Sequence, residues 1–253
     1  VLGFEDRKRA LAARLDVDPY SSNARLQREM NRTAWAIWAG GFAFDLVPFR
    51  RIGEAAGTRP WIPAADHLAE LLANRSPEDL RRMNRIELAV MGVDADLAGR
   101  FLGHDFYSPR HQTVIVGSLV DLDGVAGRRE FFEASLSAAT EQDALLYQRT
   151  AELLAAVHRK YEPIERVAAD GRVVRAYLEG GTRITPVEVD HLIWTRPVKE
   201  LVEHGALVQD APRREIWLSG SASAKARAEI QKRGFGLLEE MDAVFVLSSE
   251  AGK

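Results

Sequence analysis

Residues 140–178 read TEQDALLYQRTAELLAAVHRKYEPIERVAADGRVVRAYL, and the change of pattern within them decides the fold. Up to Lys160, a threonine and two acids at the start and apolar residues at helical spacing predict a capped amphipathic helix. Beyond Tyr161, two short runs of β-prone residues flank Asp170-Gly171, a dipeptide that favours a two-residue hairpin turn. Helix therefore gives way to strand near residue 160.

The residues before this stretch predict helices almost throughout. A hydroxyl side chain followed by proline or an acid marks the predicted helix starts at Ser76, Ser108 and Thr140. Such a hydroxyl accepts a hydrogen bond from an unpaired backbone N–H, and proline or an acid suits the first turn. Asn23, which follows an Asp18-Pro19 turn, is a further predicted cap. We therefore expect helices to dominate residues 1–160.

Strand and helix patterns alternate after the hairpin. Strands are predicted at 187–195 (VEVDHLIWT), 215–218 and 235–238, with helices at 197–207 and 223–232 between them. This alternation implies parallel pairing with right-handed crossovers. We therefore predict a mixed α+β fold, with a helical domain over 1–160 and a small, mainly parallel α/β domain over 161–253. The two can also form one continuous globule.

The composition excludes several classes of site. Of 253 residues, 46% are hydrophobic and 28% charged, which is typical of a globular protein. The 34 basic and 37 acidic residues are interspersed and sum to −3, so nucleic acid is not a predicted partner. The absence of cysteine excludes disulfides and thiolate chemistry. No cofactor motif or metal-ligand spacing is present, and we expect neither. The cluster Arg81-Arg82-Arg85 is interpreted as a solvated face.

The stretch from His104 to His111 (HDFYSPRH) holds the densest set of reactive side chains. His104, Asp105 and His111 are candidates for a small acid/base or metal site, because loops at helix ends often carry chemistry. The alternative is structural, with Ser108 capping the next helix and the histidines packed or solvated. The two histidines do not have the i, i+4 spacing that places ligands on one helix face, which favours the structural alternative.

A serine-rich loop, LSGSAS at 218–223, lies between a predicted strand and a predicted helix. Ser219, Gly220, Ser221 and Ser223 are candidates for binding a phosphate or carboxylate through backbone N–H groups. The loop matches neither the P-loop nor the dinucleotide fingerprint, and serine and glycine are common in such connections. A triad with His191 and Asp190 is not indicated, because no GxSxG motif is present and alternation places those two side chains on opposite faces.

Residues 34–44 (AWAIWAGGFAF) form an uncharged, aromatic-rich run. A bilayer span needs about twenty apolar residues, so this run is too short to cross one. We interpret it as a core helix. The alternative is a docking surface for a protein partner or a membrane, formed by Trp35, Trp38 and Phe42.

The run LDVDPYSSNARLQREMNRTAWAIWAGGF at 15–42 resembles a group of uncharacterised bacterial exported or cell-envelope proteins. These carry an LGVDPY-type turn followed by a helix with Ala-Trp-Ala and Ala-Gly-Gly segments. The stretches 107–112 (YSPRHQ) and 216–234 are also similar, whereas Asp16 stands where the group has glycine. The resemblance implies no activity. It implies a periplasmic or envelope location, with the cytoplasm as the alternative.

Two functions therefore stay open. The first is a non-catalytic structural or interaction protein of the bacterial cell envelope. The alternative is an enzyme or small-ligand (anion) binder that uses the loop at 219–223. No catalytic residue is predicted.

Overall fold

The computed structural model of the protein describes residues 3–15, 17–40, 71–208 and 210–241, with only the backbone described at 35–40 and 206. Residues 71–74 are helical. The helices with assigned bounds are α1 (Phe4–Arg14), α2 (Ala24–Gly40), α3 (Pro77–Val90), α4 (Ala95–Leu102), α5 (Pro109–Val120), α6 (Arg128–Ser135), α7 (Glu141–Lys160), α8 (Arg196–Leu207) and α9 (Ala224–Lys232).

The strands follow α7 in the chain. They are β1 (Ile164–Asp170), β2 (Val173–Leu178), β3 (Thr182–Val187), β4 (His191–Leu192), β5 (Arg213–Leu218), β6 (Ser221–Ala222) and β7 (Gly236–Leu238). One sheet has the order β1-β2-β3-β5-β7, and β4 pairs with β6 in a second. The β1–β2 and β2–β3 pairs are antiparallel, and the other pairs are parallel. The predicted mixed fold, with a helical N-terminal part and a mainly parallel C-terminal part, is confirmed.

The predicted helix caps are confirmed. The Ser76, Ser108 and Thr140 side chains each accept a hydrogen bond from the third residue of the helix that follows, at 3.1–3.2 Å. Asn23 accepts from the backbone N–H groups of Arg25 and Leu26 at the start of α2. Each cap satisfies a backbone donor that has no partner within the helix, so these residues define where the helices begin.

The hairpin turn lies one residue later than the sequence predicts. Asp170 pairs with Val173 across β1 and β2, so Gly171 and Arg172 are the two turn residues, rather than Asp170 and Gly171. Gly171 has φ +58°, a backbone conformation that residues with a Cβ rarely adopt. Asp170 instead ends β1, where its carboxylate accepts hydrogen bonds from Arg175 and His204. These two contacts explain why the strand extends through Asp170.

Replacing Gly171 by valine is expected to lower the free energy of unfolding by about 1 kcal/mol or more, because a β-branched residue resists positive φ. Gly171→Asn is the matched control, since asparagine tolerates this conformation better. Urea unfolding of the two variants measures the difference. Equal stability of the valine and asparagine variants would show that positive φ is not what the turn requires.

The predicted strand at 187–195 is wrong in its position. The central strand is β3 at Thr182–Val187. Of the predicted run, only Val187, at the end of β3, and His191 and Leu192, in the short β4, are in strands. Two residues make the sequence of β3 unlike that of a buried strand. Arg183 is charged, and Pro186 has no backbone N–H to donate to a neighbouring strand. Pairing with β2 ends at Ile184, so Pro186 interrupts no hydrogen bond with that neighbour.

The sheet is buried on both faces. Ile216, Trp217 and Leu218 alternate along β5, so that Trp217 faces the helices α4–α7 while its neighbours face α8 and α9. The cluster around Trp217 includes the fully buried rings of Phe101 and Phe131 from the helical part. Residues on both sides of position 160 therefore share one core, and the division at 160 stays a prediction.

Candidate functional site

An open cavity of about 1010 Å³ lies among the helices of the N-terminal part. We call it the interhelical cavity. Its wall combines the turn between α1 and α2, the middle of α3, the end of α4 with the following loop, and the N-terminus of α7. The predicted candidates His104, Asp105 and His111 all line it. The structure therefore brings these three together, along with residues that the sequence analysis did not select.

The loop between α4 and α5 is anchored at its centre by Tyr107. The Tyr107 side chain is buried, and its hydroxyl donates a hydrogen bond to the Ser135 carbonyl at 2.8 Å. Its ring lies 5.2 Å from that of Phe101 and 5.1 Å from that of His104. Burial raises the pKa of Tyr107, so the phenol keeps its proton. The loop that forms one wall of the cavity is thus fixed by aromatic packing.

Both ring nitrogens of His104 are used within the protein. Its Nε2 lies 3.2 Å from the Leu136 carbonyl oxygen, which only accepts, so Nε2 carries the proton. Its Nδ1 faces the Phe106 N–H at 3.4 Å. Because neither nitrogen is free, His104 supports the loop and does not serve as a base or metal ligand in this arrangement.

His111 is buried at the start of α5, where only 4% of its surface is exposed. The Nδ1 atom of the His111 ring accepts a hydrogen bond from the Ser108 backbone N–H at 3.4 Å. The backbone N–H of His111 donates to the Ser108 hydroxyl at 3.1 Å. Its Nε2 lies 3.7 Å from Oδ2 of Asp18. Burial lowers the pKa of His111, outweighing the nearby carboxylates of Asp18 and Glu141, which raise it. His111 is therefore neutral at pH 7.

Asp18 joins the turn after α1 to the start of α5. Its Oδ1 accepts a hydrogen bond from the Tyr20 N–H at 2.8 Å, and its Oδ2 accepts one from the Ser108 hydroxyl. Two of the three stretches on which the resemblance rests, at 15–42 and 107–112, therefore contact each other through Asp18. Asp18 was predicted to lie in a turn only, because its partner Ser108 is too distant in the chain for a local pattern to reveal.

Asp18, Ser108 and His111 are the residue types of a hydrolase triad, but their hydrogen bonds differ from one. In a triad the imidazole takes the serine proton through one nitrogen and donates to the carboxylate through the other. Here the Ser108 hydroxyl donates directly to Asp18, and Nδ1 of His111 accepts from a backbone N–H. These side chains therefore link two segments of the chain and do not activate a nucleophile.

Glu141 provides a fixed negative charge on the opposite wall. Its carboxylate accepts hydrogen bonds from the backbone N–H of Ser22, at 2.9 Å, and from the Ser22 hydroxyl. Partial burial raises the pKa of Glu141, but hydrogen bonds with Ser21 and Ser22 outweigh it, so the pKa is lowered. Glu141 is also the first residue of α7, where the helix dipole favours a negative charge.

Arg81 and Arg85 line the cavity from α3, one helical turn apart. Both are exposed, and neither forms a hydrogen bond or ion pair with another residue that the structure describes. Their neighbour Arg82 pairs with Asp79 at 3.3 Å and does not line the cavity. The cluster interpreted as a solvated face therefore places two of its three cations at the cavity.

The neutrality of His111 predicts a pH dependence of stability. Above its ordinary pKa of 6.5 the residue is neutral in both folded and unfolded chains. Below that pH the unfolded chain binds a proton that the folded chain does not. The free energy of unfolding is therefore expected to fall, by at most about 1.4 kcal/mol per pH unit, until the lowered folded pKa is reached.

His111→Asn keeps an acceptor near the position of Nδ1 and removes the titration. Thermal unfolding between pH 7 and pH 5, above the range in which carboxylates titrate, is expected to show a shallower pH slope in this variant. The same slope in the wild-type and variant proteins would contradict the assignment of a buried, neutral His111.

The serine-rich loop at 219–223 uses its own hydrogen-bonding groups. Ser219 exchanges two hydrogen bonds with the Val189 backbone, at 2.9 and 3.0 Å, and Ser223 caps α9. The backbone N–H groups of residues 219–223 donate to the carbonyls of Val187, Val189, Asp190 and Leu192 and to the Glu239 carboxylate. These five donors are therefore already bonded within the protein, and anion binding by the loop stays a prediction. Gly220 permits this packing, since an added Cβ would lie 2.1 Å from the Asp190 oxygen.

The structure does bring His191 and Ser221 together. The pairing of β4 with β6 sets them opposite each other, and Nδ1 of His191 lies 2.8 Å from the Ser221 hydroxyl oxygen. His191 is exposed, and the backbone N–H groups of this loop are already bonded within the protein. Acyl transfer needs donors aimed at the developing oxyanion, so this pair has no support as a hydrolase site.

The structure does not describe the side chains of the predicted interaction surface. The backbone of α2 reaches Gly40, but the Trp35 and Trp38 side chains and the whole of Phe42 are among the residues that the structure does not describe. The docking role of 34–44 therefore stays a prediction.

Within residues 3–15, 17–40, 71–208 and 210–241, no group of three histidine or acidic side chains is arranged to hold a metal ion. None of the helices in these ranges combines the length and hydropathy of a membrane span. The chain matches no protein-family model, and no curated protein or solved structure is similar to it. The resemblance to envelope proteins stays a prediction.

Proposed function

We propose that this protein is a non-catalytic binding protein of the bacterial cell envelope that holds a small polar molecule in the interhelical cavity. Two sets of residues at the cavity differ in whether they have partners within the protein, and this difference supports the proposal. The reactive side chains Ser108 and His111, which line the cavity, are already bonded within the protein: Ser108 donates to Asp18, and Nδ1 of His111 accepts from the Ser108 backbone N–H. Arg81 and Arg85 line the same cavity and have no partner among the described residues. The groups suited to chemistry are occupied, and the groups suited to recognition are available.

The dimensions of the cavity support the same conclusion. Sites for small organic molecules usually measure about 300–1000 Å³ and combine apolar walls with a few polar groups. The interhelical cavity, of about 1010 Å³, has Leu102, Phe106 and Tyr107 among its apolar walls. The proposal thus keeps the non-catalytic role expected from the sequence and moves ligand binding away from the serine-rich loop.

The envelope location rests on the resemblance of 15–42, and the cytoplasm is the alternative. Within this proposal, the run at 34–44 docks the protein to a protein partner or a membrane surface through Trp35, Trp38 and Phe42. Nucleic acid is not a proposed partner, because the net charge is −3 with basic and acidic residues interspersed. Fractionation of cells that produce the untagged protein tests the location. A purely cytoplasmic protein would contradict it.

The cavity can be obstructed at Gly99. This residue lies within α4 and lines the cavity, and an added Cβ meets no atom within 4 Å. Gly117 in α5 has the same freedom but does not line the cavity, so Gly117→Trp is a matched control for Gly99→Trp. Both variants are expected to fold, since each replaces a helical glycine that has open space beside it.

Retention of small molecules tests the proposal. The wild-type protein, Gly99→Trp and Gly117→Trp are dialysed against a bacterial small-molecule extract, and the retained compounds are identified by mass spectrometry. The wild-type protein and Gly117→Trp are expected to retain the same compound, and Gly99→Trp is expected to lose it. Retention of nothing by the wild-type protein, or equal retention by Gly99→Trp, would overturn the proposal.

A further inference from the structure

We infer that the ligand of the interhelical cavity is a zwitterion, with an acidic group held by Arg81 and Arg85 and a basic group held by Glu141. The inference rests on the proposed function and adds the chemical class of the ligand. All three charged residues line the cavity. No ion pair joins either arginine to Glu141.

Charges of opposite sign that share a cavity normally pair when their side chains can reach each other. Here the arginines lie on α3, whereas Glu141 lies on α7. The helix α5 contacts both α3, which carries the arginines, and α7, which begins with Glu141. Glu141 also accepts two hydrogen bonds from Ser22, which hold its carboxylate beside the turn between α1 and α2. The cavity therefore has a cationic wall and an anionic wall that do not neutralise each other.

This separation selects for a ligand with both charges. A simple anion such as phosphate would be attracted by Arg81 and Arg85 but repelled by Glu141. A simple cation would be attracted by Glu141 but repelled by the two arginines. A zwitterion of suitable length satisfies both walls at once. Two arginines one helical turn apart also suit a carboxylate, which guanidinium groups bind with paired hydrogen bonds.

Part of the cavity lining is aromatic. Phe106 is 41% exposed, and Tyr20 and Tyr107 also line the cavity. Aromatic faces bury the apolar part of a ligand and attract its cationic end. An α-ammonium and an α-carboxylate joined by an apolar segment fit this arrangement. That chemistry is shared by a free amino acid and by a short peptide with free termini.

Calorimetric titration with matched peptides tests the inference. The probes are phenylalanine, the tripeptide Ala-Phe-Ala, its N-acetylated form, which lacks the cation, and its C-terminal amide, which lacks the anion. We expect the free tripeptide or phenylalanine to bind. Whichever of the two binds with higher affinity identifies the ligand class as a short peptide or a free amino acid. Each blocked peptide is expected to bind at least about tenfold more weakly than the free tripeptide, the change that follows from losing about 1.4 kcal/mol.

Substitutions of the charged residues test which wall of the cavity binds each charged end of the ligand. In Arg81→Gln/Arg85→Gln the amide is expected to bind as well as the free tripeptide. In Glu141→Gln, which keeps an acceptor oxygen for Ser22, the acetylated form is expected to match it. Arg82→Gln is the control, because Arg82 pairs with Asp79 away from the cavity. Its affinities should equal those of the wild-type protein.

Two results would overturn the inference. If the acetylated peptide or the amide binds as tightly as the free tripeptide, the ligand need not be a zwitterion, although the cavity still binds a small molecule. If none of the four probes binds at millimolar concentration, the zwitterion assignment fails. The proposed function is then decided separately, by the compounds that Gly99→Trp and Gly117→Trp retain.

Discussion

Replacing Trp217 by alanine is expected to lower the free energy of unfolding by about 4 kcal/mol, within the range for removing a fully buried tryptophan. The ring is fully buried at the centre of the sheet. Its Nε1 donates a hydrogen bond to Glu215 at 2.8 Å, and the ring packs edge-on against Tyr161 at 5.3 Å. The substitution therefore removes the largest fully buried side chain among the described residues and an aromatic contact between β5 and the end of α7.

Urea unfolding followed by circular dichroism measures this effect. Tyr161→Ala is the control, because Tyr161 is 57% exposed and its removal costs only the aromatic pair, about 1 kcal/mol. Trp217 lies in a core shared by the helices and the sheet, so the variant is expected to lose both in one transition. Two separate transitions, with only the sheet destabilised, would show that the parts on either side of residue 160 are stabilised independently.

Asp210→Ala is expected to lower the free energy of unfolding by about 3 kcal/mol, because it leaves the buried charge of Arg183 without its carboxylate. Arg183 is fully buried in β3, and its guanidinium donates to Asp210 and to the carbonyls of Gly205 and Val208 at 2.9–3.0 Å. Asp210 also accepts from Tyr177. Its side chain keeps 27% exposure, so the effect is placed at the lower end for a buried pair.

The double variant Arg183→Met/Asp210→Ala separates the charge from the packing. Methionine fills much of the space of arginine without a charge, and replacing a whole buried ion pair by apolar groups is often neutral. Chemical unfolding should therefore find the double variant more stable than Asp210→Ala alone. A double variant less stable than the single one would mean that the unpaired charge of Arg183 is not the source of the loss.

Local signals made the helical part predictable. Ser108 and Thr140 each bond to a backbone N–H three residues away, so sequence neighbours alone define where α5 and α7 begin. The hairpin was also predictable to within one residue, since Gly171 determines its own φ. The buried face of a helix is less directly readable: Leu146 belongs to the apolar spacing of residues 140–160, yet its side chain is 44% exposed in α7.

Contacts between distant residues explain what the sequence did not reveal. The charge of Arg183 made the sequence of β3, the central strand, unlike that of a buried strand. Its partner Asp210 lies 27 positions later in the chain. The candidate site depends on longer separations, since Asp18 and Ser108 are 90 positions apart and Ser22 and Glu141 are 119 apart. Periodicity and capping report on neighbours within a few residues. They identified the wall at 104–111 but not the cavity.

The most direct test of the account is to locate the retained compound on the protein. Backbone amide resonances of the isotope-labelled full chain are recorded as the compound is added. Shifts are expected at residues 104–111 and 141–142, which form two walls of the interhelical cavity, and the Gly99→Trp variant should not show them. Shifts confined to residues 219–224 would contradict the account, because they would place the ligand at the serine-rich loop and leave the cavity without a function.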